Sequence, residues 1–293
     1  MSPRPVARES LQSLLESAPV AQAFAVSAIA ATLSGHLIRS LIGWPGYIAV
    51  IAGLCVLAVA ILVARREVIE WRGVLPLTIL GFIAWCGGSV VWSGAQWISL
   101  AGWLFQASIA LLGIAIALCR DLIQIVRAAG GVFRGVLALS LGLEILSGVL
   151  IDTPIAFLGI QGDLAEGGPI QGVFGTRNLL GLVAVLALVT HIIELRTRSV
   201  PRGTGVFSIA LASLCLVFSG SPVTVAVAVV ILAATSALFA VRRTPAERRP
   251  MLQYALLGLV VVTLVATYAG RSRVIELLNA GSEFHVRYRL WIS

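Results

Sequence analysis

Apolar runs parted by short polar stretches dominate this chain from about residue 21 to residue 270. A hydrocarbon core of about 30 Å takes about 20 apolar residues per helix. Dividing the runs by that length predicts nine membrane spans, with approximate limits 21–42, 46–64, 73–92, 98–118, 131–151, 174–195, 205–220, 223–241 and 252–270. The uncharged stretches 73–119 and 203–241 are each too long for one span. Each has a natural break, WSGAQW in the first and SGSP in the second, so each is expected to fold as a helical hairpin. The expected fold class is therefore all-α, a polytopic membrane protein with about nine transmembrane helices.

Composition agrees and narrows the picture. Hydrophobic residues make up 59% of the 293-residue chain and charged residues 12%, with mean hydropathy +1.00, values that exclude a soluble domain. Cys55, Cys86, Cys119 and Cys215 each sit in an apolar run without paired or metal-type spacing, so neither a disulfide framework nor a metal site is expected. All 21 basic residues are arginine. In a chain of this kind the +8 balance speaks of topology and phosphate contacts rather than nucleic acid. Residues 1–20 lack a short apolar core with a small-residue cleavage site and read as a cytoplasmic N-terminal segment, leaving 21–270 as the transmembrane domain. Short cytoplasmic loops retain arginine. In the cytoplasmic membrane with the N-terminus on the cytoplasmic side, all arginines except Arg39, Arg177, Arg271, Arg273, Arg287 and Arg289 fall on that side.

The informative stretches lie towards the outer face. The loop 152–172 carries Asp152, Asp163 and Glu166 and no basic residue, and it runs into GVFGTRNLLG, where Arg177 and Asn178 open an otherwise apolar helix. A charge inside a membrane helix costs roughly 2.5–3.5 kcal/mol at the centre and turns towards a partner or a wet cavity. Snorkelling to outer headgroups is the alternative for Arg177. Glu144, in LSLGLEILSGV, lies about 10 Å below the outer end of its span at about 1.5 Å per residue, and an ion pair with Arg177 would cover both charges. Such a pair serves structure as readily as function. The closing segment 271–293, RSRVIELLNAGSEFHVRYRLWIS, either lies flat at the interface or presents guanidinium forks to phosphate oxygens. On the second reading Arg177 and Arg287 hold a diphosphate, with Asn178 and Arg289 orienting it or a sugar. His36 and His191 have no motif around them and read as structural or interfacial histidines.

GVFGTRNLLG, then a hairpin broken at SGSP, then an outer RYRLW, resembles the O-antigen ligase and polymerase family of bacterial envelope glycan enzymes. Gly172, Phe174, Gly175 and Asn178 match that family's glycine-rich segment, and Arg287, Leu290 and Trp291 match its later Arg-x-x-Leu/Ile-Trp motif. The resemblance covers roughly residues 170–293. It implies a GT-C-like, metal-independent membrane glycosyltransferase without a cofactor, which moves a glycan from an undecaprenyl diphosphate carrier to a glycan or envelope acceptor at the outer face. Arginines would stabilise the departing diphosphate while a base activates the acceptor hydroxyl. Two departures stand out. With Ser221 as the family serine, Pro222 occupies the place of the usual arginine. The family's outer loop with its candidate base histidine would follow the last motif, so the general base is unassigned, and 271–293 is expected to be the start of a truncated extracytoplasmic segment. Two other function classes fit a polytopic chain: a transporter or lipid-linked glycan flippase, which calls for charges at mid-membrane and an internal repeat, neither of which the sequence shows clearly, and a non-catalytic assembly partner.

Overall fold

The computed structural model describes residues 13–67, 69 and 77–270. It is built from helices α1 (Ala18–Leu33), α2 (Gly35–Ala64), α3 (Leu77–Gly88), α4 (Gln96–Cys119), α5 (Leu122–Ile145), α6 (Arg177–Arg196), α7 (Arg202–Phe218), α8 (Pro222–Arg243) and α9 (Arg249–Ala269). Among the described residues there is no strand, only an isolated bridge between Ile155 and Ile160. Six helical segments are long and apolar enough to cross a membrane, with three shorter apolar ones, Ala18–Leu33, Thr78–Trp92 and Arg202–Phe218, beside them. Large apolar side chains face outward all along these helices, Val56 at 71%, Trp85 at 70% and Val262 at 64% exposure among them. Such continuous apolar surface is stable in lipid and not in water. The protein is an all-helical, membrane-embedded chain.

The apolar runs locate the helices well and their ends less well. The expected break between 42 and 46 falls on Gly43, whose φ of 73° and ψ of 178° interrupt α2 so that 35–42 and 44–64 form two arms. The second arm returns along α1, with Phe24, Ala25 and Ala28 against Ala58 and Ile61. The expected fifth span starts at 131, whereas α5 begins at Leu122 and continues through a π-helical turn, Leu146–Ile151. Its first turns are amphipathic: Arg127 is exposed while Ala128 and Gly130 are buried, so the apolar-run criterion passes over them.

Small residues bring the helices together. On α1, Ala21, Ala25, Ala28 and Ala31 form one buried stripe, and Ala184 and Ala187 of α6 meet Leu211, Ala212 and Cys215 of α7 in the main core. With lipid on the outside, close backbone approach and dispersion replace the hydrophobic effect as the source of association. Helix α6 sits centrally, packed by α5, α7 and α8.

The two ends of the bundle differ in charge. One end gathers the Gly43 turn, the loop 152–176 and the N-termini of α6 and α8; among the described residues its basic side chains are Arg39 and Arg177, beside Glu144, Asp152, Asp163 and Glu166. At the opposite end Arg65 donates to the carbonyls of Glu16 (2.6 Å), Ser17 (3.3 Å) and Cys119 (3.5 Å). Further inside that end, Arg134 pairs with the fully buried Glu194 at 2.6 Å, and the buried His191 meets the same carboxylate through Nδ1 at 3.0 Å. A Cβ at Gly130 would collide with the Glu194 carboxylate, so glycine makes room for the charge.

Removing one partner from a buried pair strands the other. Glu194→Leu is expected to destabilise the detergent-solubilised protein by about 3 kcal/mol, and Arg134→Met together with Glu194→Leu by less than the single change. Thermal unfolding of both variants checks this; a single variant as stable as the wild type would contradict a structural role for the pair.

Candidate functional site

The loop 152–176 dips back into the bundle instead of lying over it. Ile170, Val173 and Phe174 are buried, and Ile170 N–H donates to the Phe218 carbonyl at the end of α7 at 2.9 Å. Backbone at this depth needs internal partners, and α5 supplies them. Glu144, 2% exposed, accepts from the Gln171 and Gly172 amides through Oε1 at 2.9 and 2.8 Å, and the Ser140 hydroxyl accepts from the Val173 amide at 3.2 Å. The partners given to Glu144 are thus backbone amides five and six residues before Arg177, rather than the guanidinium expected from the sequence. Ser147 Oγ donates to the Thr153 carbonyl at 2.7 Å and closes the loop's other end.

Two glycines are required by this course. Gly172 has φ +55° and lies against Ser140, and Gly175 has φ +73° with the His36 ring where a Cβ would stand. His36 Nε2 donates to the Leu158 carbonyl at 3.2 Å, so this histidine braces the loop and the start of α6 from α2. Of the two roles expected for His36, structural or interfacial, this contact is the structural one, and Ser140 carries no signal in the sequence because it lies within no recognisable motif.

The loop delivers the chain to the N-terminus of α6. Thr176 caps it by accepting from Leu179 N–H at 3.3 Å, and Arg177 and Asn178, both half-buried, occupy the first turn. The N-terminus of α8 arrives beside it. Ser221 Oγ donates to Asn178 Oδ1 at 2.7 Å and accepts from the Thr224 hydroxyl at 2.7 Å and the Thr224 amide at 3.3 Å. Gly181 permits this approach, because a Cβ there would meet Thr224 Oγ1 at 2.6 Å and Ser219 Oγ at 2.8 Å. The Asn178 amide nitrogen is left as a donor with no hydrogen-bond partner among the described residues.

Two helix N-termini, each with orphan N–H groups and a positive dipole end, therefore meet beside a guanidinium on the face that carries, among the described residues, one other arginine, Arg39. Such an arrangement favours an anion with several oxygens. Among the described residues no three His, Cys, Asp or Glu side chains converge as metal ligands. Arg287 and Arg289, the other expected anion contacts, lie outside the described residues. No protein-family model matches the chain, and neither curated proteins nor solved structures give a match.

Glu144 is the anchor of this geometry, and loss of a charge-assisted hydrogen bond exposes the amides it held. Glu144→Ala is expected to raise hydrogen exchange at Gln171 and Gly172 by about tenfold or more, since such a bond contributes about 1.5–3 kcal/mol. Unchanged exchange at both amides would show that the loop holds its course without the carboxylate.

Proposed function

We propose that the chain is the membrane part of a glycan ligase or polymerase that uses an undecaprenyl diphosphate donor at the outer face of the cytoplasmic membrane. In this proposal all nine apolar helical segments cross the membrane in a GT-C-like arrangement, with the acidic end extracytoplasmic. The observation that carries it is the contact between Asn178 and Ser221, at 2.7 Å. The two stretches that resemble separate motifs of O-antigen ligases meet there, beside Arg177, at paired helix N-termini.

The chemistry follows from what develops in the transition state. As the sugar leaves its carrier, negative charge grows on the diphosphate oxygens. Fixed donors aimed at that charge lower the barrier without reorganising. Arg177 supplies the permanent charge and a planar fork. Asn178, oriented by Ser221, supplies a neutral donor. Arg287 and Arg289 complete the anion clamp, and Glu144 acts at one remove by holding the segment from which Arg177 projects.

Transport remains a second reading because of Arg134, Glu194 and His191, a buried charge cluster of the sort that ion- or proton-coupled carriers use. Its place near the end of α6 opposite the candidate site makes it the weaker of the two.

Proteoliposomes holding the full-length protein and a radiolabelled polyprenyl diphosphate oligosaccharide separate the readings. Transfer of label to an acceptor is expected, with Arg177→Ala and Arg287→Ala each slowing it by about a hundredfold or more. Full transfer by either variant removes that arginine from the clamp. Movement of intact label across the bilayer without bond cleavage overturns the transferase reading in favour of transport.

A further inference from the structure

A cleft of about 200 Å³ opens beside the start of α6, between α2 and α4, lined by His36, Arg39, Trp44, Tyr47, Phe105 and Leu179 among others. We propose that it seats the diphosphate of a single-chain polyprenyl lipid, whose tail runs down the adjoining groove between α2 and α4. This rests on the donor class named above and adds a subsite to it on the N-terminal hairpin, far in sequence from the motif residues.

Arg39 is the reason for the headgroup assignment. Its Nε donates to the Gly35 carbonyl at 2.9 Å, and its guanidinium lies 4.5 Å from the Trp44 ring centroid and 5.8 Å from that of Tyr47. These contacts fix the plane of the fork. The terminal Nη nitrogens have no hydrogen-bond partner among the described residues. A half-buried arginine held in this way is prepared for oxyanions. Leu179 lines the same cleft two residues after Arg177, and His36 packs on Gly175, so the cleft shares its wall with the first turn of α6. Arg39 is the arginine that lines this cleft, and Arg177 opens the helix turn to which its lining residue Leu179 belongs.

The tail assignment comes from continuity. A second hollow of about 430 Å³ shares Tyr47 and Phe105 with the cleft and continues past Ile51, Cys55 and Leu104 along α2 and α4. It is almost wholly apolar and leads from the cationic mouth towards the middle of the helices. One furrow between two helices suits one chain. A headgroup at Arg39 with its tail in this furrow enters from the bilayer and leaves the attached glycan on the side of the loop 152–176.

Native mass spectrometry of the full-length protein, with a polyprenyl diphosphate carrying a diazirine on its chain, tests the seat, and phosphatidylglycerol serves as the comparison lipid. The wild type is expected to bind the probe and to cross-link at 51–55 and 104–108. Arg39→Ala is expected to weaken binding about tenfold, Arg39→Lys by less, and Ala52→Trp to displace the cross-links while leaving Arg39 in place. Wild-type affinity in Arg39→Ala, or cross-links confined to other helices, overturns the proposal. An equal loss for phosphatidylglycerol also overturns it, since the cleft then takes any anionic lipid. Failure of the wild type to bind the probe at all sinks the proposed function itself. Weakening by Arg177→Ala with none by Arg39→Ala sinks only this subsite.

Discussion

The carboxylate of Glu144 and the two amides it holds depend on each other. An acid almost fully buried in a helix bundle is tolerable only with strong partners. A loop that turns back below the ends of its helices has N–H groups that no water there satisfies. Each demand meets the other at 2.9 and 2.8 Å. From that exchange the rest of the face follows. Gly172 reaches α5, Phe174 is buried, Thr176 is placed to cap α6, and Asn178 comes within reach of Ser221. An apolar residue at 144 would leave two amides unsatisfied at depth, and the start of α6 would lose its fixed level.

How much of the fold can be read from the sequence depends on what sets each feature. Bilayer thickness fixes the length of an apolar run, so the helices fall in the expected order, and the break at 42–46 lands on Gly43. Where a helix extends beyond the hydrocarbon, thickness no longer governs. The amphipathic first turns of α5, with Arg127 exposed and Ala128 buried, are helical through packing that no apolar run records. Six segments are apolar and long enough to span by themselves. The shorter α1 and α7 are nonetheless deeply packed, through alanine and serine rather than length, as Ala21, Ala25, Ala212 and Ser208 show. The Arg134–Glu194 pair was hidden for another reason. Its members are 60 residues apart, and each alone looks like an ordinary charge near a helix end.

The candidate site was legible where its chemistry is local. Arg177 and Asn178 could be singled out because a charge and an amide open an apolar helix after a glycine-rich turn. Ser221 could be noted through its place in SGSP, and the structure gives it a hydrogen bond to Asn178 where the resemblance suggested a neighbouring arginine. Glu144 was recognisable as a costly charge, but its partners were not. Electrostatic economy pointed to the nearest cation, whereas a re-entrant backbone offered two donors without charge. Such a return of the chain is a property of the whole bundle. For the same reason the place of His36 and Arg39 beside the site could not be read from the sequence, since the loop and the α6 turn they adjoin are more than 100 residues away.

The charge pattern of the loop end restricts how an anion reaches this face. Asp152, Asp163 and Glu166 stand on the loop, and exposed charges act over about 8 Å at physiological ionic strength. An anion approaching through water across the loop meets these carboxylates, which are exposed, whereas Arg177 and Arg39 are half-buried. An anion carried on a lipid meets them last, because the cleft at Arg39 opens beside an apolar furrow between α2 and α4. On the proposed function, the acidic loop and the half-buried arginines would select by route as well as by charge. A free phosphate and a lipid diphosphate present similar oxygens, but only the second has a tail suited to the furrow, whose lining holds no carboxylate among the described residues. On the proposed function, that asymmetry keeps soluble phosphates from competing for the donor's seat, and it requires no contact specific to the glycan.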